Sequence, residues 1–261
     1  IGINLVACFF VMPLIAVTLA FMAGVSQQMF AGMLLLASVN GGQASNLCAL
    51  IACLDVPLSV LMTMSTTLSG ILATPFLNKV VLGTVVPVDA GGILRSAMQV
   101  VLVPICLGIA SKAAAPRLCT TLSPAIPTVG IVVSVLVVGA TVASCAQQIL
   151  GAGIRLHLAL LTLHTLGAVS GSALTGLAGG SQKICRTVAL EVSMKSSAFG
   201  FVLAVLHFDD FDVRLPAAAD CIWCPLFAAT LAAIWKPARS VEKPDASWVG
   251  NYSTNRSGET T

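Results

Sequence analysis

The chain has 261 residues, 57% hydrophobic and 9% charged, with a mean hydropathy of +0.98. Soluble domains carry about 25% charged residues, so too little polar surface exists to cover a water-soluble globule, and a polytopic helical membrane protein is the class left. The net charge of +3 is small, and the lipid bilayer rather than nucleic acid is the expected partner.

Windows of about 20 apolar residues predict eight segments. The first covers about residues 2 to 23, with Pro13 inside it. The second runs from Gln28 to Asp55 and is interrupted at Asn40-Gly41-Gly42-Gln43-Ala44-Ser45-Asn46. The third spans Val56 to Leu77, closed by Pro75 and Lys79, and the fourth spans Gly91 to Ala110 with Pro104 inside. The fifth is Pro127 to Ala146, and the sixth is Ile154 to Leu177, rich in Gly, Ser and Ala. The seventh is Cys185 to Leu206, and the eighth is Pro216 to Trp235. Beyond Lys236 the polar composition predicts a disordered tail over residues 237–261. The chain opens at Ile1 inside an apolar segment, which reads as a processed or truncated product.

Eight spans put both termini on one side. Lys112, Arg117, Lys183, Arg186, Lys236, Arg239, Lys243 and Arg256 fall there, against Lys79, Arg95, Arg155 and Arg214 opposite. The bias predicts termini on the cytoplasmic or stromal side, where the sequons at Asn251 and Asn255 would stay unglycosylated. The cysteines are scattered through apolar runs and read as small hydrophobes. Cys221 and Cys224 have metal-like spacing but no second pair beside them.

The chemistry concentrates in two places. Glu191 and Lys195 are the only charges between Thr187 and Leu206. An ionised group at membrane depth costs about 2.5–3.5 kcal/mol on insertion scales, and a four-residue spacing on a helix puts both on one face. Glu191 reads as the one intramembrane carboxylate. The second place is the interruption at Asn40–Asn46. Glycines weaken a helix by about 1 kcal/mol each, and unwound backbone survives in a membrane only where protein or a cavity satisfies it. Small-residue packing alone would not need Asn40, Gln43, Ser45 and Asn46. With Ser59 and Thr63, one turn apart, these groups offer the oxygen ligands a hard cation prefers.

The runs Gly41-Gly42-Gln43-Ala44-Ser45-Asn46, Leu58-Ser59-Val60-Leu61-Met62-Thr63 and Leu190-Glu191-Val192-Ser193-Met194 resemble those of the bile acid:sodium symporter family. The likeness reaches to about Trp235, and the Glu-Val-Ser-Met-Lys-Ser run is most similar to the plant plastid sodium/metabolite cotransporters. The resemblance implies an all-α membrane fold of ten helices in two inverted repeats, with two broken, crossing helices. The first segment here matches the family's third helix, so an N-terminal truncation is expected, and the fragment alone is not expected to transport. Core helices would lie in residues 1–82 and 152–236, and panel helices in 88–147. The resemblance implies a sodium site at Ser45, Asn46, Ser59, Thr63 and Glu191. A second sodium site departs from the family pattern, with Cys8 and Lys195 where glutamines are expected, although Glu191, Val192 and Met194 would keep its main-chain ligands. Lys195 then has three readings: a fixed cation in place of sodium, a substrate carboxylate ligand, or a neutraliser of Glu191. Gln43, Ser196 and Cys224 would face the substrate cavity. His157, His164 and His207 match no family motif, and His164 reads as a packing residue.

The expected function is sodium-coupled symport of a small organic anion, such as a 2-oxo acid or similar carboxylate, with sodium as coupling ion and no other cofactor. The plastid envelope is the expected location. A proton-coupled protein, an intramembrane enzyme and a non-transporting scaffold are the alternatives. The enzyme reading lacks paired carboxylates or a nucleophile–base arrangement.

Overall fold

The computed structural model describes residues 1–83 and 88–236, the side chain of residue 127 excepted. The tail, with Arg239, Lys243, Asn251, Asn255 and Arg256, lies outside the described residues. Within them the protein is all-α. Helix α1 is Gly2–Ala23, with a π-helical turn at Ala7–Val11. Then come α2 (Gln27–Ser38), α3 (Ala44–Ile51), α4 (Val56–Leu82), α5 (Ala90–Ala114), α6 (Pro116–Leu122) and α7 (Ile126–Ser144). Next follow α8 (Ala146–Gly151), α9 (Gly153–Leu177), α10 (Gln182–Ser193), α11 (Ser197–His207) and α12 (Leu215–Trp235), the last preceded by a 3-10 turn at Phe211–Val213.

Among the described residues five stretches are long and apolar enough to cross a membrane: α1, α4, α5, α9 and Phe211–Trp235. At 1.5 Å per residue their 22–27 residues reach about 33–40 Å, beyond the ~30 Å hydrocarbon core. The fifth expected segment is the shorter α7. The second and seventh are each split, into α2 and α3 and into α10 and α11. The third segment does not stop at Pro75. Pro75 lies inside α4, which continues to Leu82, because neighbouring side chains bind this stretch into the core. Thr74 donates from Oγ1 to the carbonyl of Ser38 at 2.8 Å, and Asn78 donates from Nδ2 to Ser38 Oγ at 2.7 Å.

Both helices that lead into a split begin with a serine cap. Ser26 Oγ accepts from the Met29 amide and Ser181 Oγ from the Ile184 amide, which satisfies an otherwise orphaned donor. Each then runs 12 residues and stops where the backbone turns extended, at Val39 and at Met194. The two extended stretches pair antiparallel at Gly41 and Lys195. The Gly42 amide donates to Met194 O at 3.1 Å, and the Ser196 amide donates to Asn40 O at 3.0 Å. Side chains complete the bonding of Gly41: Asn40 Nδ2 donates to Gly41 O, and Thr66 Oγ1 accepts from the Gly41 amide.

The core around the paired breaks is built from α1, α2, α9, α10 and α12, including Met12, Leu36, Leu160, Leu163, Val192 and Ala218. By contrast α7 exposes Val129, Ile131, Val132, Val133, Val135 and Leu136 on all its faces. A helix apolar all round belongs in lipid or against other membrane helices.

Space at the pairing is tight. A Cβ on Gly42 would lie 2.9 Å from the Lys195 carbonyl oxygen, whereas one on Gly108 meets nothing within 4 Å. Gly42→Ala should therefore push the breaks apart at a cost of about 1–3 kcal/mol, read as a lower unfolding midpoint in detergent. Gly108→Ala should leave the midpoint unchanged or raise it. Equal behaviour of the two variants would contradict the pairing.

Candidate functional site

Glu191, on the last turn of α10, is fully buried. Its carboxylate collects donors from two other helices. Ser45 Oγ on α3 donates to Oε2 at 2.6 Å, Ser59 Oγ on α4 donates to Oε2 at 3.1 Å, and Thr63 Oγ1 on α4 donates to Oε1 at 2.6 Å. Thr63 has a single proton but two more acceptors in reach, the Ser59 carbonyl at 3.0 Å and Asn46 Oδ1 at 3.4 Å. The five residues Ser45, Asn46, Ser59, Thr63 and Glu191 thus meet, and they form a cluster with more acceptor oxygens than protons. The break between α2 and α3 makes this possible, since it points the start of α3 at the end of α10.

Lys195 does not share a face with Glu191. Helix α10 ends at Ser193, Met194 is extended, and the interrupted backbone sends the two side chains apart. Among the described residues no ion pair joins them; the one within 4.0 Å is His164–Asp220. Lys195 is only 2% exposed. Its Nζ donates to the carbonyls of Cys8 at 3.0 Å and Val39 at 3.3 Å, and it stands 5.9 Å from the centre of the Phe9 ring. The Cys8 carbonyl is free for a reason written in the sequence. In the π turn the Met12 amide donates to Ala7 O, so Cys8 O would await the amide of residue 13. That residue is proline and has none. The Cys8 thiol itself turns away and donates to Asn4 Oδ1 at 3.7 Å.

A second buried carboxylate overturns the expectation that Glu191 stands alone. Asp220 on α12 and His164 on α9 are both fully buried. His164 Nε2 lies 2.5 Å from Asp220 Oδ1, and Nδ1 lies 2.6 Å from the Ser193 carbonyl. Ser197 Oγ donates to Asp220 Oδ2 at 2.7 Å. The pair therefore touches the last residue of α10 and the first of α11. Asp220 and His164 are far apart in sequence, and neither neighbourhood has a motif; the signal available was a carboxylate inside the eighth apolar segment.

The expected cavity residues are less united. Gln43 is exposed and Ser196 half-buried at the paired breaks, whereas Cys224 is buried and its thiol donates to Lys195 O at 3.7 Å. None of them lines the cavity of about 460 Å³ along α5 or that of about 520 Å³ between α1 and α9. His157 Nε2 meets the Ile149 carbonyl at 3.0 Å, and its Nδ1 accepts from Trp223 Nε1 at 3.0 Å. His207 Nε2 joins Ser96 Oγ at 2.9 Å. Both are packing contacts between helices. Cys221 and Cys224 are free thiols on α12.

These features define a multi-pass α-helical membrane protein whose buried polar groups gather where two interrupted helices meet. A family model described as the Sodium Bile acid symporter family matches residues 1–152. The chain belongs to that family. It is similar to the "Probable sodium/metabolite cotransporter BASS2, chloroplastic" of Oryza sativa subsp. japonica, 30% identical over 90% of this chain and 56% of the relative. Two Arabidopsis thaliana proteins are each 32% identical. The "Probable sodium/metabolite cotransporter BASS3, chloroplastic" is matched over 90% of this chain and 55% of its own length. For the corresponding BASS1 protein the shares are 87% and 56%. The chain thus spans about half the length of the curated relatives it matches.

Hydropathy alone ranks Lys195→Met as stabilising in an apolar core. The geometry predicts the reverse. The carbonyls of Cys8 and Val39 would lose their donor, at about 1–3 kcal/mol for each unsatisfied group. A clear drop in the unfolding midpoint of Lys195→Met is expected; an unchanged or raised midpoint would contradict the role given to the ammonium.

Proposed function

We propose that this chain forms the greater part of a secondary transporter that couples sodium to a small organic anion, such as a 2-oxo acid or a similar carboxylate. The observation that carries the reading is the convergence of Ser45, Asn46, Ser59 and Thr63 on Glu191. Two helices, α3 and α4, supply hard oxygen atoms around one buried carboxylate on a third, α10, the donor set a sodium ion takes. Unwound helix ends are where secondary transporters gather ions and substrates. The names of the plant relatives, which carry "sodium" and "chloroplastic", support sodium as the coupling ion and a plastid location; the envelope is the membrane proposed.

The family's ten-helix, inverted-repeat arrangement is part of the proposal. Two halves of like design support it, each with a long helix, a serine-capped 12-residue helix, a break, a short helix and a long helix. The core would be residues 1–82 and 152–236 and the panel residues 88–147. The exposed apolar faces of α5 and α7 suit a panel that contacts lipid and further helices.

Lys195 takes the part of a fixed cation at the second sodium site, beside Cys8. Its near-complete burial and its bonds to two carbonyls support this over direct contact with a substrate carboxylate. One sodium together with Lys195 outweighs Glu191 by one positive charge, which favours an anionic passenger. Gln43 and Ser196, at the paired breaks, are the nearest polar groups for its recognition.

The test uses the full-length protein in proteoliposomes with a panel of 2-oxo acids and other carboxylates. Saturable uptake should depend on sodium with a Hill coefficient of about 1, rising toward about 2 in the Cys8→Gln, Lys195→Gln double variant. Glu191→Gln should weaken apparent sodium affinity by at least about tenfold, while Ser65→Ala, whose hydroxyl bonds only its own helix, should not. No saturable counterflow with any carboxylate would overturn the transport reading, and an unchanged Hill coefficient would overturn the role of Lys195.

A further inference from the structure

We propose that His164 and Asp220 form a proton-binding site behind the second break, holding one proton that locks α10 and α11 in their present register.

The argument starts from hydrogen-bond inventory. A carbonyl oxygen only accepts, so His164 Nδ1, 2.6 Å from Ser193 O, carries a proton. The other ring nitrogen then meets Asp220 Oδ1 at 2.5 Å. Without a proton between them, two lone pairs would face each other at that distance. With one proton, on either atom, the contact becomes a short hydrogen bond and the pair as a whole is neutral. Ser197 Oγ donates to Asp220 Oδ2 at 2.7 Å and stays satisfied in both cases. The proton thus closes a chain from Ser193 through His164 and Asp220 to Ser197, across the three residues where α10 gives way to α11.

Charge balance points the same way. The ionisable groups acting on the pair are Lys195, just past α10, and Cys221 and Cys224 on α12, and Lys195 is in turn under the influence of Glu191 on α10 and Cys8 on α1. Phe227 stacks on the His164 ring at 5.7 Å. Lys195 and Glu191 offset each other, and thiols are neutral near pH 7. If the pair lost its proton, one uncompensated negative charge would remain among fully buried groups, an arrangement proteins avoid at a cost of several kcal/mol. His164, Asp220 and Cys224 also bring ligand atoms within 4.8 Å of one another. Neither ring nitrogen is free, however, so a metal would have to break the clamp that the proton makes.

The site rests on the transport reading only for its importance, because it sits beside the break that shapes the Glu191 cluster. Its test therefore needs neither sodium nor substrate. Above about pH 6.5 an unfolded chain holds no proton on this pair, whereas the folded clamp holds one. Stability then falls as pH rises, since the folded state binds more protons. The unfolding midpoint of the full-length protein, in sodium-free detergent between about pH 6.5 and 9, should fall by several degrees in the wild type. Asp220→Asn keeps a donor toward His164 and an acceptor for Ser197 but carries no titrating proton, and it should flatten that slope. Asp220 also acts on Lys195, Cys221 and Cys224, so His164→Gln, which keeps the Asp220 carboxylate beside them, is measured as well. If Asp220→Asn does not fold, His164→Gln must flatten the same slope. Parallel pH curves for wild type and variant would overturn the proposal and leave the sodium site untouched, whereas absence of transport would leave the proton site standing.

Discussion

Two stretches of unwound backbone sit inside a protein whose surroundings offer few hydrogen bonds, and each is the other's main partner. The bonds from Gly42 to Met194 and from Ser196 to Asn40 answer the demand that membrane-embedded backbone be satisfied internally. Everything else at the site depends on that exchange. It ends α10 at Ser193, two residues after Glu191, aims the start of α3 at the carboxylate, and turns Lys195 toward α1. The demand is also why Gly42 has no side chain, since a Cβ there would meet the Lys195 carbonyl.

Around this crossing Glu191 and Lys195 are kept apart rather than paired with each other. Glu191 is surrounded by hydroxyls, Lys195 by carbonyl oxygens, and Asp220 by an imidazole and a serine. In the proposed sodium site, a direct Glu191–Lys195 salt bridge would consume the negative charge the ion needs. Held at separate carbonyls, the ammonium contributes its charge and leaves the carboxylate available. The π turn in α1 and Pro13 complete this division by freeing the Cys8 carbonyl.

The apolar segments were legible in the sequence because lipid imposes length and composition on each of them. The first break was legible because two glycines and four polar side chains interrupt one of them, although it is shorter than the expected Asn40–Asn46 interruption: helix resumes at Ala44, so Ser45 and Asn46 lie on α3. The second break was implied only by the family resemblance and had no signal at its own residues. Met194, Lys195 and Ser196 include no glycine or proline, and only the partner strand unwinds them, so a four-residue spacing misled about the Glu191 and Lys195 faces. The Ser26 and Ser181 caps, each followed by Gln, mark the same 12-residue helix in both halves. They were the local signal that a second break should follow. The expected end of the third segment at Leu77 falls short of Leu82 because the bonds from Thr74 and Asn78 to Ser38 that carry the helix onward are tertiary. Asp220 and His164 escaped for a related reason. Each looks like an isolated polar residue in its own segment, and packing of α9 against α12 alone makes them a pair.

The central claim is that one cation site exists at the crossing and that an ammonium occupies the place of another. Thallium(I), a heavy stand-in for alkali ions, would report both places in a crystal of the full-length protein. Anomalous difference density is expected as a single peak among Ser45, Asn46, Ser59, Thr63 and Glu191, with none beside Cys8 and Lys195. A second peak at Lys195, or no peak at Glu191, would contradict the account.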